Sequence, residues 1–231
     1  MVQRVIVAAL LVLAVTAGLA RPASAQQQTV TVQLGAFLPK GEDGRVEGDV
    51  LAINRQYLLF DFGDFNGFLV SGDWSVALGE YLEAGAGFGY YQATVPAIYA
   101  EWVNEDGSEI EQDLKLRIMP LTAVVKILPL GSGHAFQPYV GGGLGVYFWR
   151  YSETGEFLAT DESIFSDSFV QSGTSIGPVA VFGVRGLVSP SALIGVEGRY
   201  QWGTADLSED FLGDKLDLGG FSILATFGFR F

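Results

Sequence analysis

From Thr29 the chain alternates: Val30, Val32, Leu34, Ala36 and Leu38 hold one parity while Thr29, Thr31, Gln33 and Gly35 hold the other. A two-residue period is the signature of a strand with one apolar face. It recurs over 68–78, 81–92, 114–127, 138–149, 175–188, 193–202 and 218–231, which with 29–38 makes eight strands. No helical periodicity competes with it. The connections alternate in length, short at 79–80, 128–137 and 189–192 and long at 39–67, 92–113, 150–174 and 203–217. An even number of antiparallel strands with short turns at one end and long loops at the other is the layout of an outer-membrane barrel. The fold predicted is therefore all-β, a single antiparallel up-and-down transmembrane β-barrel of eight strands with long extracellular loops. Loop 39–67 carries the apolar run DVLAINRQYLLFDF. At that length it either folds over the mouth or adds a hairpin, which would make ten strands.

Alternation alone does not say which face points inward, and a soluble sandwich alternates too. The residue types decide it. Gly85, Gly87 and Gly89, like Gly141, Gly143 and Gly145, lie on the polar parity, where a water-facing strand gains nothing from glycine. A narrow eight-stranded lumen needs small residues opposite large ones. Charges share that parity, and an Arg or Lys facing lipid at mid-depth costs ~2–4 kcal/mol. Glu83, Lys115, Arg117, Arg185, Glu197, Arg199 and Arg230 are thus expected to form a charge network that fills the lumen. Lys126 has the opposite parity to Lys115 and Arg117. Either a bulge near Met119-Pro120 changes the phase, or Lys126 snorkels at the periplasmic rim. Tyr90, Phe148, Tyr200 and Trp202 collect at the loop end and Phe227, Phe229 and Phe231 at the other, as two aromatic girdles require.

The first residues add a destination. Arg4, the apolar stretch 5–20 and Ala23-Ser24-Ala25 read as a secretory signal peptide, 1–25, cleaved after Ala25. The barrel domain would then be 26–231. The absence of cysteine excludes thiolate catalysis and Cys-based metal sites and leaves stability to hydrogen-bonded closure and packing. A formal charge of −13 argues against nucleic acid as a partner. Of the 26 acidic residues, 22 lie in the four long loops. Those carboxylates keep a surface solvated, or hold divalent cations through Asp106, Glu109, Glu111 and Asp113 or through Asp206, Glu209 and Asp210, without the ordered spacing of a dedicated calcium loop.

The stretch QPYVGGGLGVYFW, residues 137–149, resembles the "PYVGAG" strand of small bacterial outer-membrane barrels, the OmpW-like and OmpA/OmpX-like group. The closing LGGFSILATFGFRF resembles their last strand. The resemblance implies a cell outer-membrane location and outer-membrane lipid as the surroundings. It also implies an assembly signal at Phe227, Phe229 and Phe231, read by the barrel assembly machinery. Members that are enzymes carry a histidine on the outer side as general base, whereas the single histidine here, His134 in GSGHAF, falls on a short periplasmic turn. No enzyme and no cofactor are expected. The expected function is an envelope-structural or surface-interaction role for a monomer. A narrow channel for small hydrophobic molecules, which the OmpW-like likeness implies, is the alternative, and an enzyme acting on lipid or peptide a distant third.

Overall fold

The structure, a computed structural model, describes residues 27–159, 161 and 163–231; the expected signal peptide and its cleavage site lie outside the described residues. Eight strands pair with their sequence neighbours and close: β1 (Gln28–Pro39), β2 (Gly67–Ala77), β3 (Leu82–Val103), β4 (Glu109–Ile127), β5 (Phe136–Leu158), β6 (Ile164–Leu187), β7 (Ala192–Gln201) and β8 (Gly220–Arg230). The last pairs with the first, so the ring leaves no free edge. Closure continues to the final residue, where the Gln28 amide donates to the Phe231 carbonyl and the Phe231 amide to the Gln28 carbonyl, both at 2.9 Å.

The register fixes the barrel's geometry. Thr29 pairs Ser75, Ser75 pairs Gly85, and the row continues through Val124, Gly143, Val179, Gln201 and Gly220 back to β1 at Pro39. One circuit climbs from residue 29 to residue 39, ten positions for eight strands. Such a stagger tilts the strands by about 40° and leaves an interior that side chains fill.

The strands are of two heights. β1, β2, β7 and β8 have 10 to 12 residues, but β3, β4, β5 and β6 have 19 to 24. Two of the four long loops expected from the sequence, 92–113 and 150–174, are therefore mostly strand. They turn tightly, the first around Asn104 to Ser108 and the second closed by the Ala159 amide on the Ser163 carbonyl. They stand above the rest as a four-stranded wall.

Loop 39–67 adds no barrel strands. It folds into the mouth through a short helix α1 (Val50–Asn54) and a two-residue strand, Leu58–Leu59, that pairs with β3. A ribbon of Thr204–Asp206 against Lys215–Asp217 fills the other side. Val50, Leu51, Phe65, Leu114, Leu116, Tyr151 and Leu216 are fully buried there, so the hydrophobic core lies at the loop end.

Outward residues of the lower strands are apolar over about the 9–11 positions a strand needs to cross a bilayer: Leu82 to Tyr90 on β3, Ile127 to Met119 on β4 and Val140 to Phe148 on β5. Such a continuous exposed belt would aggregate in water. It suits hydrocarbon, with Trp202 packed 4.4 Å from Tyr200 near one edge and Phe229 6.3 Å from Phe231 near the other. The chain is a transmembrane β-barrel of the outer-membrane type. Among the described residues no helix is long and apolar enough to cross.

Leu144 sits in mid-belt and is 61% exposed. Leu144→Arg is expected to lower stability by ~2–4 kcal/mol, read by urea unfolding in phosphatidylcholine vesicles. A change below about 0.5 kcal/mol would place that face in water.

Candidate functional site

The lumen is occupied by two connected polar layers. In the lower one Arg185 pairs with Glu83, and Arg185 Nε and Arg230 Nη2 both donate to Gln137 Oε1, at 3.0 and 3.1 Å. The Gln137 amide donates to the carbonyls of Ser132 and His134, each at 2.7 Å, which ties this layer to the turn 128–135. His134 contributes that carbonyl and is itself exposed.

The middle layer is centred on Glu197, whose side chain is fully enclosed. Its Oε2 accepts from Lys126 Nζ at 2.8 Å and from the Tyr139 hydroxyl at 2.9 Å. Its Oε1 accepts from Arg199 Nη2 at 2.7 Å and from Gln33 Nε2 at 3.3 Å. Arg199 reaches Asp73 as well, at 3.2 Å. Tyr139 joins the two layers, with Lys126 Nζ 4.7 Å and Arg185 Cζ 5.7 Å from its ring centroid.

Glycine on the wall is what admits these rings. A Cβ at Gly183 would stand 2.6 Å from the Tyr139 hydroxyl, and one at Gly145 2.6 Å from that of Tyr147. Voids near these layers measure about 20 Å³ beside Asp73 and Lys126 and about 10 Å³ beside Tyr91 and Ile118, each no larger than roughly one water.

Above them Asp49 organises the mouth. Its carboxylate accepts from Arg45 Nε at 2.5 Å and Arg45 Nη2 at 2.9 Å, and from the backbone amide of Asp217 at 2.6 Å. It also caps α1 through the amides of Leu51 and Ala52, at 3.0 and 3.1 Å, satisfying donors that a helix start leaves free. Lys40 pairs with Asp217 at 2.9 Å. The first and last loops are thus locked together over an apolar plug.

Glu153, on β5 beyond the belt, is different. It is 5% exposed, accepting at Oε1 from Asn54 at 2.6 Å and from the Tyr151 hydroxyl at 2.8 Å. Among the described residues it has no cation partner. Burial pushes its carboxyl above the ordinary carboxylate range, outweighing the two hydrogen bonds that pull the other way. Burial, and then the neighbouring Glu153 charge, likewise raises the Tyr151 phenol.

Of the seven expected lumen charges, Glu83, Arg185, Glu197, Arg199 and Arg230 lie inside. Lys115 and Arg117 do not: they project outward, and Lys126 takes the inward place. β4 needs no phase change, because its pairing with β5 is in continuous register through Met119 and Pro120. Neither the bulge nor the snorkelling of Lys126 occurs. Arg117 lies opposite Arg150 on β5, and these are the first polar outward residues above the belt on their strands. Asp73, Lys126 and Tyr139 were missed: Asp73 lies on the polar parity of its strand and Tyr139 shares the parity of Gly141, whereas Lys126 has the parity opposite to Lys115 and Arg117, which were expected to face inward. Asp49 and Glu153 gave no sequence signal beyond being acids in loops.

The two acidic clusters expected as cation sites do not assemble. Glu109, Glu111 and Asp113 alternate along the outer face of β4, Asp106 binds its own turn at Ser108, and Asp206 pairs with Lys215. Among the described residues no group of three or more His, Asp or Glu side chains is placed to hold a metal ion. Phe227, Phe229 and Phe231 face outward at the turn-end edge of the belt.

No protein-family model matches the sequence, and no curated protein matches it. Among solved structures the chain is similar to the N-terminal β-barrel domain of OprF from Pseudomonas aeruginosa, at 12% identity over 89% of this chain and 99% of that one, TM-score 0.43. It is similar to outer membrane protein W of E. coli at 14% identity over 87% and 97%, TM-score 0.41. A major outer membrane protein of Thermus thermophilus gives 12% over 90% and 100%, TM-score 0.46. These are likenesses of shape and assign no role to any residue.

Proposed function

We propose that this protein is a non-catalytic, non-conducting barrel of the outer membrane that works through its loop-end face, as an envelope-structural or surface-interaction protein. The observation that carries this reading is the double closure: ion-paired layers around Glu197 and Arg185, and an apolar plug in the mouth. The lumen carboxylates are engaged by Lys126, Arg185 and Arg199, so none stands free as a general base. A narrow channel for small hydrophobic molecules would have to pass the ion-paired layers, beside which lie voids of about 20 and 10 Å³.

The outward Arg117 and Arg150 face each other across the β4–β5 ladder, an arrangement unfavourable in isolation. Both are placed at the height of lipid headgroups, and anionic headgroup phosphates of the outer-membrane lipid would neutralise them together with Lys115. The terminal Phe227, Phe229 and Phe231 are the proposed address for the barrel assembly machinery, and the closed ring suits a monomer.

Planar-bilayer recording with purified protein tests the closure. Wild type is expected to give no reproducible single-channel steps, and steady steps would overturn the plugged reading.

A further inference from the structure

Between the tall wall and the mouth loops lies a partly open cavity of about 490 Å³, separate from the lumen network and within the size range of small-molecule sites. Its character follows from its lining. Trp102, Phe157, Phe169 and Phe211 supply aromatic surface, and Glu101, Glu153, Glu209 and Asp210 supply negative charge. No lysine or arginine lines it among the described residues. Phe157 and Phe169 meet edge to face at 4.9 Å, and Phe211 packs 5.5 Å from Tyr151, so the wall is preassembled.

Glu153 gives the cavity a fixed pole. Its Oε1 is held by Asn54 and Tyr151, while its Oε2 has no partner among the described residues. Holding a nearly buried carboxylate without a counter-ion is costly. A cation arriving with the ligand would remove that cost, and aromatic faces attract the same charge through their quadrupoles. An anion or a neutral hydrocarbon would gain neither.

We propose that this cavity binds small organic cations, an ammonium carried on an apolar body, with Glu153 as the counter-ion and the aromatic wall around the charged head. The site stands apart from the question of conductance, because it opens above the plug. A barrel that conducts could still bind here, and a closed barrel could fail to.

The test is titration of full-length protein in phosphatidylcholine nanodiscs with benzyltrimethylammonium, read by calorimetry and by Trp fluorescence. Saturable binding is expected, weakened at least tenfold for neopentylbenzene, the uncharged carbon isostere. Glu153→Gln keeps an acceptor for Asn54 and Tyr151, so the mouth stays folded, and it is expected to weaken the cation at least tenfold while leaving neopentylbenzene unchanged. Phe169→Leu, which leaves the acid untouched, is expected to weaken the cation several-fold. Equal affinity for the two probes, cation binding indifferent to Glu153→Gln, or no saturable binding in wild type would each overturn the proposal.

Discussion

Replacing Glu197 by glutamine is expected to lower the unfolding free energy by about 3–5 kcal/mol, the range for breaking a buried ion pair by removing one partner. The size follows from what is left behind. Lys126 and Arg199 would keep their charges inside a lumen sheathed by lipid, with Asp73 the carboxylate left in that layer, bonded to Arg199 at 3.2 Å. Urea unfolding in short-chain phosphatidylcholine vesicles reads the loss. Adding Lys126→Met to Glu197→Gln should restore part of it, because the second substitution removes a stranded cation. If the single variant lies within about 0.5 kcal/mol of wild type, the network is bathed in water and the lumen is not plugged.

Asp49→Ala is expected to open the mouth without opening the barrel. One carboxylate caps α1, holds Arg45 and accepts from the Asp217 amide, so its loss uncouples both mouth loops and leaves an enclosed guanidinium unpaired. A local cost of about 3–5 kcal/mol corresponds to at least a hundredfold rise in the opened population, at 1.4 kcal/mol per tenfold. Trypsin cleavage after Arg45 or Arg55 in the folded protein measures that population. Cleavage should accelerate by that factor while the heat-modifiable gel mobility of an intact barrel persists. Unchanged cleavage would mean that the apolar plug alone holds the loops.

Much of the barrel was legible in the sequence because one physical rule, charge inward and apolar outward, holds wherever lipid surrounds the strand. Eight strands, the glycine-lined wall and the outward Phe227, Phe229 and Phe231 all follow from it. The rule fails above the belt, and Lys115 and Arg117 are where it failed. There the outside medium is water and the inside is the mouth's apolar core, so Leu114, Leu116 and Ile118 turn inward and the charges turn out. Along β4 the alternation does not break; its polarity inverts. The same inversion hid the strands within 92–113 and 150–174, where Val95, Ala97, Ile110, Tyr151 and Phe157 are among the buried positions while Glu109, Glu111 and Asp113 on β4 and Arg150 on β5 face out.

The mouth was less legible for another reason. The pairing of Asp49 with Arg45 is local, but its bond to Asp217 spans most of the chain, and no periodicity encodes such a contact. Glu153 was likewise one acid among many until α1 brought Asn54 against it.

The most direct test of the account is a spin-label scan along β4 in lipid vesicles, for which a chain without cysteine is suited. Single cysteines at 119, 121, 123 and 125 should report access to oxygen from the lipid. Those at 122 and 124 should be shielded from both oxygen and a polar nickel chelate, and those at 115 and 117 should be open to the chelate. Labels at 115 and 117 as shielded as those at 124, or an exchange of odd and even behaviour near Pro120, would contradict a single unbroken parity around a filled barrel.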